Sequence, residues 1–177
     1  MGSKSKPRPH RPRPPDVLFV DNDNCLHRCD ANVVDGKVVA SEPGVQLFEF
    51  AGILEQALQP YPNVKIVISS DWVGVLGFER ARDALPLELR ERVIGATQLD
   101  VGNEPGFSGL TRGEQVRRYV VKHKLKSWLA IDDRRDGFEP CPEQLVHCQA
   151  GVGLGDSEVQ RRLVHRLYAI FHMWDWG

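Results

Sequence analysis

The stretch that decides the fold is VLFVDNDNCL, residues 17–26, in which four apolar residues lead directly into two aspartates. An uninterrupted apolar run is typical of a strand buried on both faces, as in a parallel sheet. Asp21 and Asp23 follow where that strand should end. Two carboxylates so close together repel each other unless a cation or hydrogen bonds offset the repulsion. The stretch therefore predicts either a polar turn or a functional site at the end of a buried strand.

The remaining chain alternates strand and helix patterns, which is typical of a parallel sheet covered by helices on both faces. The stretch NVVDGKVVA, residues 32–40, sets Asp35-Gly36 between β-branched pairs and predicts a β-hairpin. We therefore predict a doubly wound α/β fold with a mainly parallel sheet. Helices are expected over residues 45–59, 76–92 with a break at Pro86, 111–124 and 156–174, and strands over 63–70, 92–97, 127–133 and 143–149.

Composition favours a globular protein with one domain. The chain has 177 residues, of which 41% are hydrophobic and 27% are charged, close to the values of ordinary soluble domains. Residues 1–15 contain five prolines among basic residues, which predicts a basic, extended and disordered arm. We expect residues 16–177 to form a single domain that ends in a closing C-terminal helix.

Charge and hydropathy exclude some classes of protein. No apolar run approaches the roughly 18 residues of a membrane-spanning helix. The basic N-terminus lacks the apolar stretch of a secretory signal, so we predict a cytoplasmic protein. The net charge is −1, and five of the basic residues fall within residues 1–16 against one acid, so the remainder is mildly acidic. Affinity for a polyanion is therefore expected only from the arm or from a local patch.

Polar side chains that could bind a ligand or take part in catalysis follow three of the predicted strands. Because ligands of open parallel sheets bind beyond the carboxyl ends of the strands, these side chains are expected to meet at one edge. Each alone is as compatible with a turn, a cap or a solvated face, and only the ordered set is specific. The set is Asp21 and Asp23, then Ser69 and Ser70, then Asp132, Asp133 and Asp136, with Arg112 at the start of the helix before the last group.

The residue types in this set indicate phosphoryl transfer. Clustered carboxylates without histidine or cysteine favour Mg²⁺ over zinc, and Mg²⁺ is usually held by a few carboxylates together with phosphate oxygens and waters. A serine hydroxyl and an arginine beside the cation suit the remaining phosphate oxygens. One carboxylate can act as the nucleophile while a second moves the proton. We therefore predict a reaction through an aspartyl-phosphate.

The order of these motifs resembles the haloacid dehalogenase-like (HAD) superfamily, whose four motifs are spread over a Rossmann-like, three-layer α/β/α core. DNDNCL, residues 21–26, is similar to the first motif, and KIVISS, residues 65–70, is similar to the second. Arg112 in LTRGEQV matches the third motif, and the acidic pair of WLAIDD, residues 128–133, matches the fourth. Two departures are that Cys25 stands where Thr or Val is usual and that Arg112 replaces the commoner Lys.

The resemblance implies a role for each residue of the set. Asp21 would be the nucleophile and Asp23 the general acid/base, a pairing that in this superfamily marks phosphatases and phosphotransferases. Arg112 and Ser69, or Ser70 in its place, would hold the phosphoryl group. The Mg²⁺ ligands would be Asp21, the backbone carbonyl of Asp23, Asp132, and either Asp133 or Asp136.

Within the superfamily, the chain is most similar to the HAD domains related to Swiss-Army-Knife RNA-repair proteins. The similarity covers roughly residues 16–155 and rests on VLFVDNDNCL, IVISSDW, VIGAT and WLAIDD. The spaces between the motifs hold only a hairpin and short helices, so a small cap or none is expected. An open site suits a large phosphorylated substrate, and we predict a Mg²⁺-dependent phosphatase for which a nucleic-acid phosphate end is the first substrate to test.

Three other interpretations stay open at this point. The fold could serve as a phosphate- or nucleic-acid-binding module with weak catalysis. Residues 159–176, which end in the aromatic stretch FHMWDW, could pack on the body or mediate self-association. Cys25, His27 and Cys29 alternate as metal ligands can, but no second cluster accompanies them, so reduced thiols are favoured.

Overall fold

The computed structural model describes residues 13–172. The predicted arm, residues 1–15, lies almost entirely outside the described residues, as do the end of the predicted closing helix and most of the aromatic stretch. The disordered arm and self-association through that stretch therefore stay predictions. In the described part of the chain, no helix has both the length and the apolar character needed to cross a membrane.

A five-stranded sheet forms the centre of the fold, and all of its neighbouring strands are parallel. A separate two-stranded antiparallel hairpin accompanies it. In chain order, the strands are β1 (Val17–Val20), β2 (Ala31–Val34), β3 (Lys37–Ala40), β4 (Lys65–Ile68), β5 (Val93–Ala96), β6 (Trp128–Asp132) and β7 (Leu145–His147). The sheet order is β5-β4-β1-β6-β7, so the strand that carries VLFV lies in the middle.

Helices connect the strands and cover both faces of the sheet. Three short 3₁₀ helices lie at Phe107–Gly109, Pro142–Gln144 and Gly153–Gly155. The α-helices are α1 (Ala51–Leu58), α2 (Trp72–Leu76), α3 (Phe78–Asp83), α4 (Leu87–Arg90), α5 (Thr97–Val101), α6 (Arg112–His123) and α7 (Ser157–Phe171). The alternation confirms the predicted α/β, Rossmann-like fold with a mainly parallel sheet.

The alternating side chains of β1 divide the core into two parts. Leu18 and Val20 pack into a cluster that includes residues of α1 and α7, whereas Val17 and Phe19 point to a cluster that includes residues of α6. All four side chains are buried. The continuous apolar run of the sequence is thus explained by a strand with helices on both of its faces.

The helix predicted over residues 45–59 begins only at Ala51. Phe48 adopts a left-handed conformation with a φ of 61°, which an ordinary helical residue does not have. Its N–H is also turned away from the helix and donates to Nδ1 of His27, 3.4 Å away. The apolar periodicity before Ala51 therefore reflects packing of a turn on the core, and the prediction was wrong for this part of the segment.

The hairpin of β2 and β3 follows the first motif. Asp35 and Gly36 both have positive φ, 50° and 74°, as the tightest hairpin turns require. Apart from this hairpin, the segments between the first, second and third motifs contain only short helices and strand β5 of the sheet, in agreement with the prediction of a small cap or none.

Candidate active site

Strand register brings the predicted residues together at the carboxyl edge of the sheet. Val20 pairs with Ile68 on one side and with Ile131 on the other, so the residues after them lie side by side. Asp21 continues the ladder by donating its N–H to the carbonyl of Ile131 at 3.0 Å. Ser69 does the same toward the carbonyl of Val20 at 2.9 Å. Backbone bonds therefore hold the site on rigid strand ends.

Three carboxylates converge at this edge. Asp21, Asp132 and Asp133 each offer an oxygen, and these oxygens all lie within 4.8 Å of one another. Asp21 and Asp132 are buried, while Asp133 is half-buried. Within residues 13–172, this is the one group of three or more acidic, histidine or cysteine side chains arranged in that way. A purely carboxylate donor set fits a hard cation such as Mg²⁺.

Burial makes the charged form of this cluster unfavourable. It raises the pKa of Asp21 well above the usual range, and neighbouring Asp132 raises it further, while Arg112 and a hydrogen bond from the Ser70 hydroxyl act in the opposite direction. Burial likewise raises the pKa of Asp132 to about 7 although Arg112 opposes it. A cation would remove this penalty, so the electrostatics also fit a metal site.

Two donors at the same edge have no partner among the described residues. The Ser69 hydroxyl is buried without a hydrogen bond, and so is Nε of Arg112. Nε of Arg112 lies 3.6 Å from Oδ2 of Asp132, near the acidic cluster but too far for a good hydrogen bond. Unsatisfied buried donors are unusual in proteins. Both are explained if the site receives an anionic ligand such as phosphate.

The two serines of the second motif differ in their contacts. The Ser70 hydroxyl bonds Asp21 and also lies 3.5 Å from the N–H of Trp72. The Ser69 hydroxyl is left for a ligand. Of the two serines, Ser69 is therefore the one whose hydroxyl has no hydrogen bond among the described residues.

Arg112 is placed by a close contact between α6 and the loop after β6. Gly113 donates its N–H to the carbonyl of Asp136 at 3.0 Å, and a Cβ on Gly113 would lie 2.2 Å from the carbonyl carbon of Gly137. Only a glycine permits this approach. Thr111 adds a capping box with Glu114 at the same helix start.

The two candidates for the last metal ligand, Asp133 and Asp136, occupy different positions. Asp133 belongs to the acidic cluster. Asp136 is exposed, stands outside that cluster, and uses its backbone carbonyl to bond Gly113. Of the two aspartates, Asp133 is thus the one that lies with Asp21 and Asp132.

Asp23 is oriented by two donors that both reach Oδ1. Nε1 of Trp72 donates at 2.8 Å, and Nε2 of buried His27 lies 3.1 Å away. Because Nδ1 of His27 accepts the N–H of Phe48, the ring hydrogen is on Nε2, which therefore donates to Asp23. Oδ2 accepts no hydrogen bond from the described residues and is left for a proton or a ligand.

Asp71 and Arg134 belong to the site, although the sequence pattern did not single them out. Oδ1 of Asp71 accepts from Nη2 of Arg112 at 2.8 Å, and Oδ2 accepts from Nη2 of Arg134 at 2.7 Å. The N–H of Arg134 donates to Oδ1 of Asp132 at 2.9 Å. A usable signal was present, since Asp71 follows Ser69-Ser70 and Arg134 follows Asp132-Asp133 at the same sheet edge.

The two arginines control the charge state of Asp71. Partial burial raises the pKa of Asp71, but Arg112 and Arg134 together outweigh that effect and hold the pKa below its usual value. Asp71 is thus an anion that already occupies both guanidinium groups beside the acidic cluster.

The alternating cysteines and histidine near the first motif make other contacts. Both ring nitrogens of His27 are engaged, by Asp23 and by Phe48. Cys25 shares a hydrogen bond with Cys148, and burial raises the pKa of the Cys25 thiol well above its usual value. All four cysteines are free thiols. This part of the chain therefore shows no zinc geometry among the described residues.

Comparison with known families adds one finding. A sequence model of the family described as "HAD domain in Swiss Army Knife RNA repair proteins" matches residues 17–159. The match runs from β1 into the start of α7 and includes the acidic cluster, both serines and Arg112. No curated protein matches the chain.

Proposed function

The chain belongs to the family of HAD domains in Swiss Army Knife RNA repair proteins, and we propose that it is a Mg²⁺-dependent phosphomonoester hydrolase. One observation supports this above the others. Three carboxylates converge beside two buried donors that have no hydrogen-bond partner among the described residues, an arrangement that fits a cation together with a phosphoryl group. Family membership makes a phosphatase-type activity the natural expectation.

Asp21 would carry the covalent step. One of its carboxylate oxygens attacks phosphorus and forms the aspartyl-phosphate, while the bond to the leaving oxygen breaks and Asp23 gives that oxygen a proton. Water then attacks the same phosphorus and passes its proton to Asp23. The bond to Asp21 breaks, and inorganic phosphate leaves. The hydrogen bonds from His27 and Trp72 to Oδ1 suit this role because they leave Oδ2 of Asp23 to carry the proton.

The remaining residues would bind and orient. Ser69 and Arg112 would donate to the phosphoryl oxygens, and Ser70 would orient Asp21. Asp21, Asp132, Asp133 and the backbone carbonyl of Asp23 would hold Mg²⁺. When bound, the cation would neutralise the acidic cluster and offset the charge of the phosphoryl group.

A nucleic-acid phosphate end is the substrate class that we propose first. The family description names RNA repair. The hairpin of β2 and β3 is the main element beyond the core near the site, and so small a cover suits a macromolecular end.

The contact of Asp71 favours a second candidate, a module that binds phosphate or nucleic acid with weak catalysis. A phosphate must displace Asp71 from Arg112 before that guanidinium can serve it fully. If displacement is unfavourable, binding and turnover would both be slow.

The test is Mg²⁺-dependent release of phosphate from an aryl phosphate by the wild-type protein and by Asp21→Asn. We expect activity that requires Mg²⁺ and that Asp21→Asn abolishes, while Asp136→Asn, an exposed aspartate outside the acidic cluster, serves as the matched control. If Asp21→Asn retained activity, Asp21 would be excluded as the nucleophile. No release from aryl phosphates or phosphorylated oligonucleotides would favour the binding module.

A further inference from the structure

A groove with three arginines runs beside β7, the edge strand next to β6. It has a volume of about 420 Å³, and its lining includes Arg135, Arg162 and Arg166. We propose that this β7 groove binds the phosphodiester backbone of a single-stranded nucleic acid. The inference rests on the proposed function in one respect, that the end of the bound strand is what reaches Asp21.

The charge of the β7 groove is only partly compensated. Arg166 pairs with Glu143, and Glu139 also lines the groove. Among the described residues, however, no carboxylate lies within ion-pair distance of Arg135 or Arg162. Two guanidinium groups are therefore available to anions from solution.

His147 at the groove wall holds the side chain of Arg135 in place. Nη2 of Arg135 donates toward Nδ1 of His147 at 3.3 Å, so the ring hydrogen is on Nε2. The Arg135 guanidinium is thereby held at the groove, where it can meet an anion.

The β7 groove is connected directly to the acidic cluster. His147 is the register partner of Asp132, and Nε2 of His147 donates to the backbone carbonyl of Asp133 at 2.9 Å. Arg134 and Arg135 are consecutive, so their Cα atoms are about 3.8 Å apart. Arg134 reaches Asp71 beside the cluster, whereas Arg135 lines the groove. A nucleic-acid strand bound in the groove would thus lead toward Asp21, the proposed nucleophile.

The two cations of the groove that lack an ion-pair partner among the described residues come from different elements, Arg135 from the loop after β6 and Arg162 from α7. Cations placed on two elements along one groove suit a chain of phosphates better than a single phosphorylated side chain. A nucleic-acid strand presents a phosphate at every nucleotide, whereas a phosphoprotein presents one dianion. Pro142 adds an exposed apolar surface to the lining, beside the buried side chains of Phe138 and Leu145.

The experiment measures binding apart from catalysis. Fluorescence anisotropy would follow a labelled single-stranded oligonucleotide that lacks a terminal phosphate, so that only the groove is probed. We expect salt-dependent binding that Arg162→Ala and Arg135→Ala each weaken about fivefold, with the salt slope reduced by about one. Arg162→Lys should restore most of the affinity because it keeps the charge.

Arg161→Ala is the matched control, since Arg161 is the neighbouring residue of α7, is exposed, and pairs with Glu158. Equal losses of oligonucleotide affinity in Arg161→Ala and Arg162→Ala, or no binding by the wild type, would overturn the proposal that the groove binds nucleic acid. Equally strong competition by polyglutamate would assign the groove to an acidic protein segment instead.

Hydrolysis of a small aryl phosphate separates the groove from the proposed function. Arg162→Ala should leave the rate of aryl phosphate hydrolysis unchanged, because Arg162 is not one of the proposed catalytic residues. Oligonucleotide binding without any hydrolysis would overturn the proposed function and leave the groove intact. Hydrolysis without oligonucleotide binding would overturn the groove proposal and leave the proposed function intact.

Discussion

Asp71 holds Arg112 by a 2.8 Å hydrogen bond between Oδ1 and Nη2, beside the acidic cluster. Arg112 is buried, with 3% of its side chain exposed, whereas 61% of the Asp71 side chain is exposed. The second oxygen of Asp71 holds Arg134. A carboxylate thus occupies Nη2 of both arginines, and under the proposed function a phosphate that binds Nη2 of Arg112 must displace it.

Asp71→Asn should therefore tighten the binding of phosphate. Without the competing carboxylate, we expect the inhibition constant of inorganic phosphate and the KM of an aryl phosphate to fall about threefold, the scale of a solvent-screened ion pair. Steady-state kinetics with added phosphate measure both constants. Asp83→Asn, on the exposed surface of α3, is the control. Weaker phosphate inhibition in Asp71→Asn would mean that Asp71 positions the arginines more than it competes with phosphate.

Asp133→Asn should raise the Mg²⁺ concentration needed for half-maximal activity by about tenfold. It removes one charged ligand from the acidic cluster, and affinity for a hard cation follows the number of charged ligands. Asp136→Asn should leave the Mg²⁺ requirement unchanged, since that side chain is exposed outside the cluster. Titration of activity with Mg²⁺ distinguishes the two, and the opposite order would exchange the roles of the two aspartates.

Stability without divalent cations should fall as pH rises from about 4 to about 7. The pKa of Asp132 is about 7 in the folded protein against 3.8 in an unfolded chain, so the folded state binds the proton more tightly. This contribution is fully present below the unfolded value and is lost as pH rises through the folded value.

Thermal unfolding in a chelator, across this pH range, measures that effect. At pH 7, Asp132→Asn should raise Tm by about 3 °C or more, the shift that about 1 kcal/mol produces in a domain of this size. Mg²⁺ should stabilise the wild type more than the variant. A pH dependence that is identical in both proteins would exclude Asp132 as its source.

Trp72→Phe should impair proton transfer by Asp23. The variant keeps an aromatic ring but removes the Nε1–H that donates to Oδ1 of Asp23. We expect kcat to fall about tenfold for alkyl phosphates, whose leaving oxygen needs the proton, and much less for nitrophenyl phosphate. Comparison of the two substrates is the measurement. Equal losses on both would indicate a structural role for Trp72.

Gly113→Ala should destabilise the fold and displace Arg112. The added Cβ would lie 2.2 Å from the carbonyl carbon of Gly137, so α6 and the loop after β6 must separate. Overpacking of this kind costs about 1–3 kcal/mol. Denaturant unfolding and the KM for an aryl phosphate should both report it.

Gly52→Ala provides the opposite control. Gly52 lies in α1, and a Cβ there would meet nothing within 4 Å, so alanine should stabilise the protein by up to about 1 kcal/mol. If Gly113→Ala were as well tolerated as Gly52→Ala, the close contact between α6 and the loop would not be what places Arg112.

Local patterns were sufficient to predict much of the fold. The apolar run before Asp21, the hairpin signal at Asp35-Gly36 and the periodicity of α6 and α7 depend on neighbouring residues, and each predicted element is present. The same locality caused the error at the start of α1. Nothing near Phe48 in the sequence reveals that its N–H bonds His27, 21 residues earlier.

The sequence by itself determined the mainly parallel sheet, its first strand buried on two faces and the aspartates at the strand ends, because burial on two faces and the carboxyl-edge rule leave their marks in short stretches. Tertiary structure alone decided which side chains meet. Asp71 and Arg134 are 63 residues apart, and Asp23 and Trp72 are 49 apart. Asp133 and Asp136 fit the motif equally well in sequence, and only the folded chain places Asp133 beside Asp21 and Asp132, because close packing in space has no local signature.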